Sequence, residues 1–316
     1  PTLSLTPAET IENLNLEYSV FERYLTTYLY KHYPDTALSK EYRNFYGKLR
    51  GCIFDWSGTL VDKYSIAPVK SLMDTFKNYD IDVSYDEIRD SMGIRKDKHI
   101  KAILEIPNIR YKWLKKYGSQ PNQSILEEIT LQYQLCQLDS ISDYTELIPG
   151  VKSALLSLRN RHRLKLGGTT GFYNNITSQI QKDILKRDNI SLDSFVSGDD
   201  VEYGSRPNPF MLFRCMTSMN IDNVRSIVKV DDTVSGVEEG LNAGVWTVGI
   251  YRYSNYMNIN TLEELENLEI SDYRERINKS RDILSRSGAH YIIENLSQME
   301  TVVNDINRRL SRGECP

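Results

Sequence analysis

Residues 49–59 read LRGCIFDWSGT, and the rest of the chain can be placed relative to this pattern. An apolar run from Cys52 to Phe54 ends on the acid Asp55 and is followed by a short loop with the letters SGT. Short apolar runs bounded by turn residues are typical of buried strands. Asp55 is therefore predicted at the carboxyl end of a buried strand.

Strand and helix patterns alternate after Pro149-Gly150. The predicted strands are 164–168, 194–197, 226–230, 245–250 and 289–293, and the predicted helices are 151–160, 174–187, 209–218, 234–242 and 297–310. Such alternation predicts an α/β fold with a Rossmann-like, doubly wound parallel sheet.

Three regions differ in pattern along the chain. Residues 48–67 and 147–316 are predicted to form the α/β core, and residues 68–146, in which helical periodicity dominates, an inserted helical cap. Residues 1–47 precede the core as an N-terminal helical extension that begins with a Thr6-Pro7-Ala8-Glu9 capping pattern. This amphipathic helix either packs on its own core or docks a second subunit or another protein.

Composition and charge exclude several classes of protein. Lys and Arg number 39 against 43 Asp and Glu, a net charge of -4, which does not favour nucleic acid as a partner. No apolar run approaches the length of roughly 18 residues that a membrane span needs. The first residues lack a secretory or transit pattern, so a cytoplasmic location is expected. The 4 cysteines are scattered without a CxxC pair and predict neither a zinc site nor a disulfide framework.

Polar groups follow four of the predicted elements, at the edge of the sheet where ligands of open α/β sheets bind. These groups are Asp55 with residues 57–59, Thr169-Thr170-Gly171, the loop 204–207 with Arg206, and Asp231-Asp232-Thr233. Together they offer carboxylates, hydroxyl and amide donors and a guanidinium. This set suits a magnesium ion and a phosphoryl group.

The order of these motifs resembles the core of the haloacid dehalogenase superfamily, and more closely the phosphonoacetaldehyde hydrolase family (phosphonatases). The similarity runs from about residue 48 to about residue 308 and includes FDWSGTLVD, MGIRKDKHIKAIL, LGGTTGF, RPNPFM and VKVDDTVSG. The first 47 residues lie outside it.

The resemblance implies a role for each motif. Asp55 would be the nucleophile that becomes an aspartyl phosphate, and Mg²⁺ would be held by Asp55, Asp232 and the backbone carbonyl of Ser57. The phosphoryl group would be bound by Thr169, Thr170, Gly171 and Arg206. A homodimer formed through the cap is also implied.

The residue two positions after the nucleophile indicates the class of reaction. Phosphatases and mutases of the superfamily usually carry a second aspartate there, which protonates an alkoxide leaving group. This chain has Ser57. Its presence argues against hydrolysis of ordinary phosphate monoesters and agrees with a carbon leaving group, whose electrons a lysine-derived iminium can accept.

The predicted cap offers such a lysine within Met92-Gly93-Ile94-Arg95-Lys96-Asp97-Lys98-His99. The spacing predicts Met92, Lys96 and His99 on one face of a helix. By resemblance, Lys96 is the Schiff-base lysine, His99 its acid-base partner and Met92 a lining residue. A free lysine has a pKa near 10.4, so Lys96 needs burial or cationic neighbours, for which Arg95 and Lys98 are candidates.

Two positions depart from the family pattern. Gly236 replaces an aspartate that supports the metal site, and Asp231 stands where the family usually has glycine. A one-residue lengthening at 203–205 precedes Arg206. These departures leave open a catalytically impaired protein with a binding or assembly role through its N-terminal extension, and a phosphatase or mutase is a third alternative.

Overall fold

The computed structural model describes residue 45, residues 47–202 and residues 204–316. Residues 47–308 belong to one folding unit. The predicted N-terminal helix lies outside the described residues.

Six parallel strands form one sheet, which confirms the predicted fold class. The strands are β1 Gly51–Phe54, β2 Lys165–Thr170, β3 Ser194–Ser197, β4 Ile227–Asp231, β5 Trp246–Ile250 and β6 Tyr291–Ile293, in the spatial order β3-β2-β1-β4-β5-β6. All residues of β1, β4 and β5 are buried. Strands that are buried on both faces of a parallel sheet are usually apolar along most of their length, as β1 and β5 are.

The helices of the described residues fall into two groups. Those before β2 are α1 Ile66–Asn78, α2 Tyr85–Arg89, α3 Lys96–Glu105, α4 Pro107–Tyr117, α5 Gln123–Ser140 and α6 Val151–Asn160. Those after β2 are α7 Asn174–Asp188, α8 Phe210–Ser218, α9 Val234–Asn242, α10 Leu262–Glu266, α11 Ile270–Ser285 and α12 Met299–Leu310.

The helices α1 to α5 enclose a hydrophobic core of their own. Phe76 from α1, Ile100 from α3, Trp113 from α4 and Tyr133 from α5 are buried together in it. A separate cluster packs α8 against the sheet, with Met211 and Cys215 completely buried. The segment of helical periodicity between β1 and β2 therefore buries its apolar faces largely on itself.

The sequence analysis predicts no element between Ile250 and Ala289, where the structure has α10 and α11. The apolar stripe of α11 is narrow: only Ser280 and Leu284 of its 16 residues are buried. Tyr273 and Ile277 are partly buried against a small cluster around Met257. A helix with so few buried positions gives a weak periodic signal.

No helix of the described residues is long and apolar enough to cross a membrane. All four cysteines are free thiols.

Candidate active site

Three buried carboxylates meet at the carboxyl edge of the sheet. Asp55 follows β1, Asp231 ends the neighbouring strand β4, and Asp232 comes next. One carboxylate oxygen of each residue lies within 4.8 Å of the other two. The backbone N–H of Asp55 donates to the carbonyl of Val230 at 2.8 Å. The pairing of β1 with β4 thus brings together the acids that the sequence places at two strand ends.

The Arg206 guanidinium lies beside this cluster and is buried. Its Nη2 is 2.7 Å from Asp55 Oδ1 and donates to the Thr169 carbonyl, also at 2.7 Å. Its Nε donates to Glu239 at 3.1 Å. Burial alone would lower the pKa of Arg206, but the neighbouring carboxylates, led by Asp231, raise it above its ordinary value. The guanidinium is therefore a fixed cation next to Asp55.

Lys229 completes this network, although it is not among the residues that the sequence predicts for the site. Its Nζ donates to Thr169 Oγ1 at 2.6 Å and lies 3.1 Å from both Asp231 Oδ2 and Glu239 Oε2. The available signal was a lysine inside the apolar run 227–230. A lysine in a strand that is buried on both faces requires anionic partners.

The three residues predicted to bind the phosphoryl group at the end of β2 have different surroundings. The hydroxyl of Thr169 accepts from Lys229 and Arg206 and donates to Glu239 at 3.1 Å, so this side chain belongs to the ionic network. Thr170 and Gly171 line a cavity at the site instead.

The carboxylate cluster fits a divalent cation. Burial, followed by repulsion from Asp231, raises the pKa of Asp55. Burial and the charge of Asp55 raise the pKa of Asp232 well above its ordinary value. A hard cation such as Mg²⁺ takes carboxylate ligands and would offset this repulsion. Gly58 leaves room for Asp232, since a Cβ at position 58 would lie 2.4 Å from Asp232 Oδ2.

The side chain of Ser57 is held by Asp62, to which its hydroxyl donates a short hydrogen bond. Asp62 also accepts the backbone N–H groups of Ile66 at 3.0 Å and Ala67 at 3.2 Å, at the start of α1. Burial raises the pKa of Asp62 to about 7. Position 57 therefore presents no carboxylic acid to the cavity that it lines.

Lys96 reaches the same cavity from the helices between β1 and β2. Its Nζ lies 3.5 Å from Met92 Sδ and 5.8 Å from the centroid of the Phe172 ring. Burial lowers the pKa of Lys96 to about 7, against the opposing effect of Asp55. Lysine with such a pKa is a competent nucleophile near neutral pH.

The prediction that Met92, Lys96 and His99 share one helix face is wrong for Met92. Helix α3 begins at Lys96, and Met92 lies in the turn before it. Gly93 has a φ of 97°, in the left-handed region, so an α-helix does not continue through it. Arg95, expected to lower the pKa of Lys96, instead pairs with Asp97 at 2.6 Å.

His99 is buried behind Lys96 in a defined tautomer. Its Nε2 lies 2.7 Å from the carbonyl oxygen of Ile88. Because a carbonyl only accepts, Nε2 carries the proton and Nδ1 keeps its lone pair. Nδ1 has no hydrogen-bond partner among the described residues. Burial lowers the pKa of His99 to about 3, so the ring is neutral at physiological pH.

A cavity of about 20 Å³ lies where these groups converge, which is room for about one water molecule. Its lining includes Asp55, Ser57, Met92, Lys96, Thr170, Gly171, Phe172 and Arg206. The turn before α3 closes it from above: a Cβ at Gly171 would lie 2.6 Å from the carbonyl oxygen of Ile94. The structure therefore brings the predicted nucleophile, the predicted lysine and the predicted guanidinium to the lining of one cavity.

Comparison with known proteins agrees with this arrangement. The sequence model of the haloacid dehalogenase-like hydrolases matches residues 52–250. A phosphonoacetaldehyde hydrolase of Paraburkholderia xenovorans is 32% identical over 268 residues, covering 85% of this chain and 99% of the relative. This chain belongs to the haloacid dehalogenase-like hydrolases, in the phosphonoacetaldehyde hydrolase family.

Two further relatives give the same assignment. A phosphonoacetaldehyde hydrolase of Bacillus cytotoxicus is 32% identical over 262 residues, covering 83% of this chain and 98% of the relative. The crystal structure of a phosphonoacetaldehyde hydrolase-like protein from Oleispira antarctica matches with a TM-score of 0.81 at 32% identity, covering 86% of this chain and 98% of that one.

The loop before Arg206 is one residue longer than in the family pattern, but the guanidinium still lies in the active site. Tyr203 lies outside the described residues, but Arg206 Nη2 still reaches Asp55 Oδ1 at 2.7 Å. The guanidinium therefore retains its place beside the predicted nucleophile.

Proposed function

We propose that this protein hydrolyses the carbon–phosphorus bond of phosphonoacetaldehyde, giving acetaldehyde and phosphate. The observation that carries the proposal is Lys96: a buried amine with a pKa of about 7 lines the same cavity as Asp55 and Arg206. The names of the relatives, phosphonoacetaldehyde hydrolases, support the choice of substrate.

The first step belongs to Lys96. Its neutral amine adds to the aldehyde carbon, and loss of water gives an iminium ion that lies beside the C–P bond. His99 is the neutral neighbour of Lys96: its Nδ1 lone pair would accept a hydrogen bond from the adding amine, but with a pKa of about 3 the ring is too weak a base to keep the proton, which passes on to water. Met92 and Phe172 cover the amine with apolar surface, which favours its neutral form.

The second step belongs to Asp55. A carboxylate oxygen attacks phosphorus, the P–C bond breaks, and its electron pair passes into the iminium to give an enamine on Lys96. The phosphoryl group is then bound to Asp55. Arg206, beside Asp55, stabilises the charge on the phosphoryl oxygens, and Thr170 and Gly171 line the same cavity.

Two waters complete the turnover. One hydrolyses the aspartyl phosphate, which releases phosphate and restores Asp55. The enamine takes a proton on carbon and becomes an iminium again, and the second water hydrolyses it to acetaldehyde and the free amine of Lys96. No step needs an acid at position 57, in agreement with a serine whose hydroxyl faces Asp62.

Mg²⁺ fits the acidic cluster of this site. The carboxylates of Asp55 and Asp232, with the backbone carbonyl of Ser57, are the proposed ligands. The ion supplies positive charge that offsets the repulsion between the Asp55 carboxylate and the phosphoryl oxygens.

Borohydride trapping tests the proposal. The protein is incubated with phosphonoacetaldehyde, Mg²⁺ and borohydride, and the modified residue is located by peptide mass spectrometry. We expect a reduced two-carbon adduct on Lys96, none in Lys96→Ala, and an unchanged adduct in Lys98→Ala, which alters an exposed lysine two positions away. A folded protein that forms no adduct on Lys96 would contradict the proposal.

The alternatives left open by the sequence find less support. Ser57 argues against phosphatase and mutase chemistry, and the names of the relatives do not favour a purely binding or assembly role. The trapping experiment separates these alternatives, since neither requires an iminium on Lys96.

A further inference from the structure

The carboxylate of Asp231 lies in the space that a side chain at position 236 would take. A Cβ built on Gly236 would lie 1.9 Å from both Asp231 Cγ and Asp231 Oδ2. No two atoms approach so closely without a bond. Asp231 can therefore hold its present position only because residue 236 is glycine, and the two residues form a matched pair.

The two oxygens of Asp231 have different surroundings. Oδ1 accepts the backbone N–H of Thr233 at 3.0 Å and its hydroxyl at 2.7 Å. Oδ2 is buried and accepts no hydrogen bond within the described part of the chain, although Lys229 Nζ lies 3.1 Å away and Arg206 Nη2 3.4 Å away. The bonds to Oδ1 hold the carboxylate, whereas Oδ2 is held by ion pairs alone and has lone pairs that no hydrogen bond from the described residues uses.

The charges of the network point to a divalent cation. Four buried acids, Asp55, Asp231, Asp232 and Glu239, are linked through ion pairs or close approach to two buried cations, Arg206 and Lys229. The formal charges of these six side chains leave two net negative charges in this network. A single divalent ion would balance them, and without Asp231 only one would remain.

We infer that Asp231 supplies the third carboxylate of the divalent-cation site, delivered from the end of β4, and that Gly236 in α9 makes room for it. An aspartate at position 236 would have its Cβ where the Asp231 carboxylate now lies, but it would be attached to α9 instead of β4. Asp231 and Gly236 are thus one exchange of position rather than two unrelated departures from the family pattern. The inference rests on the metal site of the proposed function.

A four-protein comparison tests the pair: the unmodified chain, Asp231→Gly, Gly236→Asp, and the double variant. Gly236→Asp alone should lower the melting temperature strongly, because its Cβ collides with Asp231. The double variant should recover most of that loss, since the collision is gone. Double-variant stability no better than the summed effects of the single changes would overturn the pairing.

Direct binding of Mn²⁺, measured by electron paramagnetic resonance without substrate, tests the link to the metal. Asp231→Asn keeps the shape of the side chain and removes its charge, and we expect its affinity to fall by roughly 10-fold to 100-fold. Glu238→Gln, a change at an exposed acid of α9, should bind Mn²⁺ as the unmodified chain does. The double variant, Asp231→Gly with Gly236→Asp, should bind Mn²⁺ with an affinity within about 3-fold of that of the unmodified chain. This difference is smaller than the loss expected for Asp231→Asn. Unchanged binding by Asp231→Asn would overturn the inference.

The outcome is independent of the lysine chemistry. An adduct on Lys96 with Mn²⁺ affinity insensitive to Asp231 would refute this inference and leave the proposed function standing. Loss of Mn²⁺ affinity in Asp231→Asn without any Lys96 adduct would support the pair and refute the proposed function.

Discussion

The Lys96 amine must lose its proton before it attacks an aldehyde, and burial sets the pH at which this happens. Since its pKa is about 7, the rate of adduct formation on Lys96 should rise with pH and reach half its maximum near pH 7. An exposed lysine titrates near 10.4 and would keep gaining reactivity well above that point. Initial trapping rates with cyanoborohydride, normalised to a lysine peptide in the same tube, measure this profile.

Other groups bear on that profile. His99 has a pKa of about 3 and is neutral throughout this range, so it does not produce the rise. Asp62, with a pKa of about 7, is one competing titration, and Asp55 and Asp232, whose pKa values are also raised, are kept ionised by saturating Mg²⁺ in this assay. Asp62→Asn should keep the midpoint if Lys96 is the source, and a midpoint that disappears in this variant would contradict the assignment.

At the residue level, the sequence predicts those site residues that come directly after a strand. Asp55 and Asp232 could be predicted to meet because the carboxyl ends of adjacent parallel strands share one edge. Lys229 could not be given a role, because its partners Thr169 and Glu239 are distant in sequence and reach it only through the fold. Met92 was placed on a helix because spacing alone does not show that Gly93 adopts a positive φ.

At the level of elements, α2 is joined to the loop after β5 by one arginine. Arg89 is buried and donates from Nη1 to the carbonyl of Tyr64 at 2.9 Å and from Nη2 to the carbonyl of Ile259 at 2.7 Å. Nη1 also donates to the side-chain oxygen of Asn255 at 2.8 Å. The backbone N–H of Asn255 in turn donates to Asp232 Oδ2 at 2.8 Å. Arg89 therefore reaches a proposed metal ligand through one intervening residue.

Arg89→Lys should act as a change in a positioning residue. Lysine keeps the charge but has no planar fork, so several buried carbonyls lose their donor. We expect a loss of roughly 1–3 kcal/mol in the free energy of unfolding, measured in urea, and weaker binding of Mn²⁺. Arg110→Lys, at an exposed position of α4, is the matched control. If Arg89→Lys loses stability but binds Mn²⁺ normally, the connection to Asp232 is not functional.

Elements were predictable to the extent that they bury a wide apolar face. The six strands and the helices α6 to α9 and α12 were all predicted, because most of them carry continuous or strongly periodic apolar patterns. The helix α11 packs mainly through Tyr273, Ile277 and Leu284, and apart from Ile270 and Ile283 its other positions are charged or polar. Such a helix depends on the tertiary contacts it makes, which a local pattern does not contain.

At the scale of the whole molecule, the buried amine makes the stability of the fold depend on pH. The pKa of Lys96 is about 7 in the folded protein and about 10.4 for lysine in an unfolded chain. Between these values the unfolded chain binds more protons than the folded one. The free energy of unfolding therefore rises with pH across this interval, by at most about 1.4 kcal/mol per pH unit from this group.

Lys96→Met isolates that contribution, because methionine is apolar, of similar length and packs well beside Met92 and Phe172. We expect the variant to be more stable than the unmodified protein at pH 7, and the difference to shrink as the pH approaches 10.4. Urea denaturation of both proteins across this range measures the difference, in which the titration of groups that do not interact with Lys96 cancels. Lys98→Met, at an exposed position, should show no such trend. A stability difference that stays constant with pH would mean that the folded protein holds Lys96 as an ordinary charged lysine, and the amine would then have no special reactivity near neutral pH.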